Sequence, residues 1–470
     1  MRSLKPYIFY GQTTSLCETC LDLVPTKILI EGDKVFFQKR CIEHGVQKTL
    51  VSTDAAYYRK CRDYLKPADI PLAFQSRTQF GCPYDCGLCP DHEQHSCLAL
   101  LEVNETCNLT CPICFADSAP QRPKNRSLAE IEAMLDTLVA SEGEPDLLQV
   151  SGGEPTLHPQ ILEILRLAKQ RPIRHLMLNT NGVRLANEPA FVEALAKLGP
   201  GFEVYLQFDS LRKEALENIR GADLRGVRTR ALANLEAAGV STTLVVVVKK
   251  GVNDQEVGEI TRHALEYDCV RGITFQPVQD AGRNFGFDKN RDRAMLTDIR
   301  RVIAETSGVF AAADLLPLPC NPEGIAIGYG LRQGRTVTPI TRIIPEAELI
   351  AHAGNTISFE KDRELKRRLI DLLSLSCTGE QTDPTLRGLL CCLPQFELPQ
   401  GVDLTGLGYD KVFRVVIVQF LDRFNFCLAQ VKRSCIHFVT PEQKIIPFDT
   451  YNLFYRNGQP IRPRAVPAHV

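Results

Sequence analysis

The run Leu98-Ala-Leu-Leu-Glu-Val103 leads through Asn104-Glu-Thr into the loop Cys107-Asn-Leu-Thr-Cys111-Pro-Ile-Cys114. The apolar run has the length and composition of a buried strand, so the three cysteines are expected where that strand ends. Thiolates at this C-x-x-x-C-x-x-C spacing can bind three irons of a four-iron cluster, which leaves the fourth iron without a protein ligand. The alternative is a structural zinc knuckle, which usually needs a fourth cysteine or histidine at short spacing.

A glycine turn follows the next apolar run. Asp146 to Val150 is predicted to be a short buried strand, and Ser151-Gly152-Gly153-Glu154-Pro155 comes directly after it. Two adjacent glycines let the backbone approach a ligand with no side chain in the way. A lone Gly-Gly-Glu is weak evidence because turns are rich in glycine. The turn comes about 40 residues after the cysteine loop.

Six apolar, β-branched runs alternate with helical stretches. Ser127-Leu-Ala-Glu130 is a capping box that begins one helix, and another helix is predicted from Gln160 to Lys169. Buried strands separated by helices indicate parallel pairing with right-handed crossovers, so the predicted fold class is α/β. The runs are Leu98 to Val103, Leu147 to Val150, His175 to Leu178, Val204 to Phe208, Leu244 to Val248 and Ile273 to Phe275.

Polar residues stand at the ends of these runs. The carboxyl ends of parallel strands meet at one mouth, where α/β enzymes place their chemistry. Asparagine, aspartate and serine also cap helices and shape turns, so each position has a structural interpretation beside the functional one. Lysine and arginine there could meet an anion or be solvated charges. The residues are Asn179, Asn181, Gln207, Asp209, Ser210, Lys249, Gln276 and Arg283.

The first cysteine cluster lies near the amino terminus. Cys17-Glu-Thr-Cys20 and Cys41-Ile-Glu-His44 flank a predicted β-hairpin with its turn at Glu31-Gly32-Asp33. Two knuckles joined by a hairpin can place four ligands around one ion, as in rubredoxin-like and zinc-ribbon sites. Three thiolates and one imidazole slightly favour zinc over iron. Free cysteines without a metal are the alternative.

A second triplet, Cys82-Pro-Tyr-Asp-Cys86-Gly-Leu-Cys89, repeats the spacing of the strand-end motif. It follows no apolar strand, and no Gly-Gly-Glu turn comes about 40 residues after it, so the two triplets differ in their sequence context. Cys97 could supply a fourth thiolate and close an auxiliary, electron-carrying cluster. His92 or His95 could take that position instead, although a loop histidine is more often solvated.

The remaining cysteines are scattered along the chain. Cys269 and Cys377 stand beside helical runs and are predicted to be small buried apolar residues. Cys320, Cys427 and Cys435 lie in loop-like or strand-edge contexts and could assemble a third cluster. The others are Cys61, Cys391 and Cys392.

Composition narrows the class of protein. The 470-residue chain carries 55 basic and 56 acidic residues and a formal net charge of -1, which favours neither nucleic acid nor an anionic membrane as a general partner. No apolar run of about 18 residues and no secretory signal is recognised. We therefore expect a cytoplasmic protein whose 18 cysteines are reduced and serve as metal ligands rather than disulfides.

The length exceeds what a single core usually fills, so several domains are expected. We predict a rubredoxin-like or zinc-ribbon-like metal lobe at 1–60 and an auxiliary cluster segment at 61–98. A core barrel is predicted at 99–300 and an α+β domain at 301–470.

The cysteine loop, the Gly-Gly-Glu-Pro turn and the six βα units together resemble the radical S-adenosylmethionine (radical SAM) superfamily. The resemblance implies a partial (β/α)6 TIM-like barrel in which S-adenosylmethionine chelates the open iron of a 4Fe-4S cluster. Reductive cleavage then gives a 5′-deoxyadenosyl radical that abstracts hydrogen from a substrate C–H bond. The implied site residues are Cys107, Cys111 and Cys114 for the cluster, Ile113 against adenine, Gly152, Gly153 and Glu154 for the methionine part, and Asn179, Gln207 and Asp209 for the ribose and carboxylate.

A narrower resemblance runs nearly from end to end. Gly81-Cys-Pro-Tyr-Asp-Cys-Gly-Leu-Cys-Pro and the tail around Cys435-Ile-His-Phe are similar to one branch of that superfamily. The branch contains the archaeal tetraether lipid synthase and dihydro-hydroxymethylpterin methyltransferase-like proteins. This chain has Ile436 and Asp449 where the branch tends to carry cysteines, so a third cluster would need Cys427 or Cys392 as a corner.

The branch implies a transferase with one of two substrates. We favour carbon–carbon bond formation between lipid chains, which adds a peripheral contact with a membrane, over methylation of a pterin. A peptide-modifying radical enzyme and a non-enzymatic zinc-ribbon or iron-sulfur binding protein are the other hypotheses. The expected cofactors are S-adenosylmethionine, its 4Fe-4S cluster, one or two auxiliary 4Fe-4S clusters and one zinc or iron ion, with a flavodoxin or ferredoxin as electron donor.

Overall fold

The computed structural model describes residues 5–67, 69–122, 124–352, 354–356 and 411–456. Two separate sheets form in this part of the chain, one of four strands and one of twelve. Cys377, Cys391 and Cys392 lie outside the described residues, so the roles expected of Cys377 and Cys392 stay predictions. No helix in the described ranges is long and apolar enough to cross a membrane.

The four-stranded sheet is an antiparallel meander near the amino terminus. It consists of β1 (Ile8–Leu16), β2 (Leu23–Glu31), β3 (Lys34–Cys41) and β4 (Gly45–Ser52). The turn between β2 and β3 contains Gly32 at φ +56°, a conformation that glycine adopts without strain. Apolar side chains on one face of β2 and β3 form a small core. This lobe therefore has little apolar burial of its own.

The larger sheet is built around six strands that pair in parallel in chain order. Their positions confirm the α/β class and the six units expected from the apolar runs. Ser127 caps the helix after the first of them, as its capping box predicted. The strands are β5 (Leu98–Glu102), β6 (Leu147–Ser151), β7 (His175–Thr180), β8 (Phe202–Gln207), β9 (Thr242–Val248) and β10 (Val270–Pro277).

Helices cover the outer face of these strands, and further short helices lie before and after them. They are α1 (Ala55–Lys60), α2 (Leu128–Glu142), α3 (Ile161–Lys169), α4 (Val183–Asn187), α5 (Pro189–Ala196), α6 (Lys213–Arg220), α7 (Arg225–Ala237), α8 (Val257–Ala264), α9 (Leu296–Thr306), α10 (Glu346–His352), α11 (Leu428–Lys432) and α12 (Phe448–Thr450).

The carboxyl-terminal segment adds strands to both edges of the six. They are β11 (Leu316–Pro317), β12 (Ile325–Gln333), β13 (Thr336–Pro339), β14 (Val412–Val418), β15 (Ile436–Val439) and β16 (Ile445–Pro447). β14 pairs in parallel with β10, and β15 pairs in parallel with β5. The strands that follow residue 300 therefore belong to the same sheet as the six central strands, and the domain boundary expected there stays a prediction.

Successive side chains along each strand point alternately to the outer face of the sheet, under the helices, and to its inner face. In β6, Leu148 and Val150 pack under the helices, whereas Leu147 and Gln149 point to the inner side. Apolar residues of β14 and β15 line the same inner space. The carboxyl-terminal strands therefore help to enclose the lumen, which lies below the ends of the strands.

Candidate active site and metal centres

The cysteine loop is fastened to the glycine turn of the next strand. The Gly153 amide donates to the carbonyl of Asn104 at 2.9 Å, and the Glu154 amide donates to the carbonyl of Thr106 at 2.8 Å. A Cβ on Gly152 would lie 2.5 Å from the Asn104 carbonyl oxygen, and one on Gly153 would lie 2.2 Å from that of Thr106. The two glycines are thus needed for close backbone packing that fixes the start of the loop.

Arg283 fastens the other end of the loop. Its Nε donates to the Cys111 carbonyl at 2.6 Å, and Nη2 donates to the Ser118 carbonyl at 2.8 Å. The backbones of Cys114 and Arg283 exchange two hydrogen bonds of 2.9 Å. Arg283 Nη1 also forms an ion pair with Asp117 Oδ1 at 3.1 Å. The guanidinium therefore stabilises the loop, and its charge is already paired with a carboxylate. Lys249, the other cation expected at the mouth, lies 3.8 Å from Asp292.

A cavity of about 110 Å³ opens beside the cysteine loop at the carboxyl ends of the strands. It is the place that the sequence predicted for the chemistry. Most of the residues proposed for cluster and cofactor line it: Cys107, Ile113, Cys111, Cys114, Gly152, Gly153, Glu154, Asn179 and Gln207. Burial raises the pKa of Cys107 to about 12, so this thiol is protonated at neutral pH until a metal displaces the proton.

Asp209 is the exception among the expected cofactor residues. It is fully buried and accepts hydrogen bonds from Arg220 at 2.6 and 2.7 Å and from the Val247 amide at 3.1 Å. It does not line the cavity, whereas Arg220 does and also donates to Gln207 at 2.8 Å. The carboxylate of Asp209 is thus paired with Arg220 in this arrangement, and its direct contact with the cofactor stays a prediction.

Sequence reasoning missed Arg220, which lies beside Cys111. Burial raises the pKa of Cys111, and the guanidinium of Arg220 opposes that rise. Arg220 is the last residue of α6 and follows no recognised motif, so only the folded position of the helix reveals it. Its charge suits a site that must stabilise thiolates and a ligand carboxylate.

Glu154 ties two strand ends together. Its carboxylate accepts hydrogen bonds from the Thr156 hydroxyl at 2.6 Å, the Thr180 hydroxyl at 2.7 Å and the Asn181 amide at 2.7 Å. Burial raises its pKa, and these donors oppose the rise. The side chain thus supports the ends of β6 and β7, which positions the glycine turn at the cavity.

The amino-terminal ligands converge as their spacing predicted. Cys17, Cys20, Cys41 and His44 bring their ligand atoms within 4.8 Å of one another. His44 Nδ1 lies 3.6 Å from the Cys17 sulfur and 3.5 Å from the Cys41 sulfur. Four donors at these separations can surround a single tetrahedral ion.

The second triplet lies away from the main cavity. Cys82, Cys86 and Cys89 line a cavity of only about 10 Å³, together with His92. The Cys86 amide donates to the Tyr455 hydroxyl at 3.2 Å, which anchors the triplet to the carboxyl-terminal segment. The cavity beside the later triplet is larger and is bordered by the glycine turn, so the later triplet is the better candidate for the open cluster.

Cys97 is not with this triplet, contrary to the sequence interpretation. Its sulfur lies within 4.8 Å of those of Cys320 and Cys435. The reason is strand pairing: β5 pairs with β15 in the register Leu98 to Ile436, which aligns the preceding cysteines.

The sequence interpretation grouped Cys427 with Cys320 and Cys435. In the structure the Cys427 sulfur lies apart from those two, 3.2 Å from the Thr13 hydroxyl. Of the two histidines considered for the second triplet, His92 lines its cavity and His95 lies 3.4 Å from the Cys97 sulfur.

Comparison with known proteins agrees with this arrangement. Residues 101–264 match the family described as the radical SAM superfamily, and residues 9–53 match the HMPTM N-terminal zinc ribbon domain. The chain is 31% identical over 480 residues to the 7,8-dihydro-6-hydroxymethylpterin dimethyltransferase of Methanocaldococcus jannaschii, covering 95% of this chain and 94% of that protein. The chain belongs to the radical SAM superfamily.

Other proteins match shorter regions of the chain. The chain is 30% identical over 235 residues to the GTP 3′,8-cyclase of Chlorobaculum tepidum, covering 48% of this chain and 69% of that protein. The crystal structure of Streptococcus suis SuiB bound to S-adenosylmethionine aligns with a TM-score of 0.37 and 18% identity over 44% of this chain and 46% of that chain.

As a radical SAM protein the chain is an enzyme that uses a 4Fe-4S cluster and S-adenosylmethionine. The donor set fits these groups, because three thiols and a side-chain-free glycine turn border one cavity.

The assignment of the two triplets can be tested by substitution. Protein reconstituted anaerobically and reduced with dithionite should cleave S-adenosylmethionine to 5′-deoxyadenosine, and Cys111→Ala should abolish cleavage because the cluster loses a ligand. Cys86→Ala should retain cleavage. Cleavage is measured as 5′-deoxyadenosine by chromatography. If Cys111→Ala retained cleavage and Cys86→Ala lost it, the second triplet would carry the open iron.

The close packing of the glycine turn gives a second prediction. Gly153→Ala should reduce 5′-deoxyadenosine formation by about 100-fold, because its Cβ displaces the backbone on which the cysteine loop rests. Gly226→Ala is the matched control, since Gly226 lies in α7 with only a flexible arginine side chain nearby. Equal activity of the two variants would mean that the turn does not position the loop.

Metal removal tests the amino-terminal lobe. Cys41→Ala should lower the metal content by one ion per chain and lower the unfolding temperature of the lobe, because its small core depends on the ion. Cleavage of S-adenosylmethionine should persist. An unchanged metal content, measured by plasma mass spectrometry, would exclude an ion at this position.

Proposed function

We propose that this radical SAM enzyme methylates a 7,8-dihydropterin. The observation that carries the proposal is the 31% identity to a relative named for that activity, which extends over nearly the whole of both chains. The match includes the amino-terminal lobe, the barrel and the carboxyl-terminal strands that border the lumen. A shared substrate class is expected when all the parts that enclose a substrate are shared.

When bound, the cluster and S-adenosylmethionine supply a 5′-deoxyadenosyl radical able to abstract hydrogen from an unactivated C–H bond. The chain must hold the methionine and adenosine parts, orient the substrate and exclude water. Cys107, Cys111 and Cys114 would hold the cluster, and the glycine turn would hold the methionine part. Asn179 and Gln207, which hydrogen-bond each other at 2.9 Å, would face the ribose.

The lumen below this cavity is the proposed substrate site. A second cavity of about 70 Å³ lies there and shares Asn179, Gln207 and Gln276 with the cofactor cavity. A substrate in the lumen would thus meet the radical at the shared border. Polar groups stand among its apolar walls: Gln149, Asn179, Tyr205, Gln207, Thr243, Thr274, Gln276 and Arg414.

Aromatic rings occupy the same border. Phe420 and Phe448 stack with centroids 3.9 Å apart, and Phe115 lies 5.4 Å from Phe448. All three line both cavities. A flat fused ring such as a pterin fits a site that combines aromatic faces with fixed hydrogen-bonding groups around the ring edge.

Gln149 is the residue that we assign to recognition of the ring edge. It lies on β6, is 5% exposed and lines the lumen. Its side chain borders the lumen beside apolar residues of the neighbouring strands. A primary amide on the wall of a substrate site can both donate and accept hydrogen bonds, and a pterin edge offers both donors and acceptors.

The lipid hypothesis favoured from the sequence has no support. It required an elongated apolar cavity with Lys249 or Arg283 beside a polar head group. Both cations are engaged elsewhere, and polar side chains interrupt the apolar wall of the lumen, which does not suit a long hydrocarbon chain. A peripheral membrane contact accordingly is not part of the proposal.

The second triplet and an external reductant complete the proposal. Cys82, Cys86 and Cys89 would hold an auxiliary iron-sulfur cluster with His92 as the nearest further donor. Burial lowers the pKa of His92 to about 4, so its imidazole is neutral and able to bind a metal. A flavodoxin or ferredoxin would supply the electron that starts each turnover.

The direct test is production of methylated pterins in cells. A bacterial host that expresses the chain under anaerobic conditions should accumulate methylated derivatives of 6-hydroxymethylpterin, detected by mass spectrometry after oxidation of the extract. A host that expresses Cys111→Ala should not. If only the wild-type protein cleaves S-adenosylmethionine in vitro and neither host forms methylated pterins, the substrate assignment is wrong and the radical SAM chemistry remains.

The buried amide generates a further prediction. Gln149→Leu should lower kcat/KM for the pterin by about 10- to 100-fold, the effect of losing about 1–3 kcal/mol of hydrogen bonding. Cleavage of S-adenosylmethionine without product should continue. Gln255→Leu is the control, because Gln255 is exposed outside the lumen. A Gln149→Leu enzyme with unchanged kcat/KM would remove this residue from substrate recognition.

A further inference from the structure

Three fully buried cysteines from distant segments meet below the lumen. Cys97 precedes β5, Cys435 precedes β15 and Cys320 lies between β11 and β12. Their sulfurs all lie within 4.8 Å of one another, and the Leu98 amide donates to the Cys435 carbonyl at 3.1 Å. Parallel pairing of β5 with β15 therefore fixes two of the thiols at the amino-terminal end of the strands. This is the opposite end from the cysteine loop of the cofactor cavity.

The separation of these sulfurs distinguishes a single ion from a cluster. Ligands at about 2.3 Å from one tetrahedral ion lie about 3.8 Å apart. In a four-iron cluster each thiolate binds a different iron, which spreads the sulfurs further. Among the described residues, the 4.8 Å grouping is reached by the zinc-ribbon ligands and by Cys97, Cys320 and Cys435. The triplet Cys107, Cys111 and Cys114 is spread more widely.

His95 lies beside one of the three cysteines. Its Nε2 lies 3.4 Å from the Cys97 sulfur, and its Nδ1 lies 3.0 Å from the Glu142 carboxylate. A carboxylate on the second nitrogen is the usual way to orient a metal-binding histidine. Nε2 lies 2.8 Å from the Asn355 carbonyl, and His95 is not among the residues whose ligand atoms lie within 4.8 Å of one another. To bind the ion, the imidazole would have to leave that carbonyl and turn toward the sulfurs.

We propose that Cys97, Cys320, Cys435 and His95 bind a single tetrahedral zinc or iron ion. The site differs from the third iron-sulfur cluster expected of Cys320, Cys427 and Cys435, both in its members and in its contents. It does not depend on the substrate proposed above.

The position of the ion gives it a structural role. It joins the first barrel strand to the carboxyl-terminal segment, whose Ile436 and Val416 line the lumen. Loss of the ion should loosen this side of the lumen while leaving the cysteine loop at the opposite strand ends in place.

Metal and sulfide analysis of anaerobically purified protein tests the proposal. Cys435→Ala should lose one zinc or iron per chain with no change in acid-labile sulfide, and the metal that disappears identifies the ion. Cys427→Ala is the matched control, because this cysteine is equally buried but its sulfur contacts Thr13 instead. Loss of several irons together with sulfide from Cys435→Ala, or an unchanged metal content, would overturn the proposal.

A second measurement avoids reliance on a variant that fails to fold. Cys41→Ala removes the zinc-ribbon ion. The purified variant should still contain one ion per chain that is not part of an iron-sulfur cluster, namely the ion proposed here. A variant with no such ion would contradict the proposal. His95→Ala and Glu142→Gln should both release that ion to a chelator faster, Glu142→Gln by about tenfold. Release at the wild-type rate from His95→Ala would exclude His95 as the fourth ligand.

Discussion

Parallel pairing of β5 with β6 is the constraint on which the site depends. The pairing extends from Leu98 opposite Leu147 to Glu102 opposite Ser151, and it continues as the hydrogen bond of 2.9 Å from the Val103 amide to the Ser151 carbonyl. The glycine turn then lies against the start of the cysteine loop. Cluster ligands and cofactor turn thus face one cavity because the two strands end together. The lumen begins directly beneath, so cofactor and substrate sites share a border.

The six central strands could be predicted from sequence because each is a short, continuous apolar run. Buried parallel strands need apolar residues on both faces, and helices between them force the crossover connections. The outer strands could not be placed in the same way. Val412–Val418 is as apolar as the central strands, but its parallel pairing with β10 joins segments far apart in the chain. Local composition carries no information on such a partner.

The residues of the site fall into the same two groups: those that local sequence predicts and those whose contacts depend on the fold. Residues within short motifs, such as Cys107 and Gly153, were identified because the motif itself carries the chemistry. The contacts of residues outside such motifs depend on the fold and could not be predicted from local sequence. Asp209 looked like a ligand residue, but its carboxylate is paired with Arg220, a side chain of a helix that begins four residues later. Cys97 was grouped with its neighbours in sequence, although strand pairing places it beside Cys435.

The central claim is that strand geometry gives the cysteine triplets different roles. X-ray diffraction from anaerobic crystals grown with S-adenosylmethionine, measured across the iron absorption edge, tests it most directly. The account predicts a four-iron anomalous peak on Cys107, Cys111 and Cys114, with its open iron toward the glycine turn and S-adenosylmethionine bound there. S-adenosylmethionine bound instead to a cluster on Cys82, Cys86 and Cys89, with no cluster at the strand ends, would contradict it.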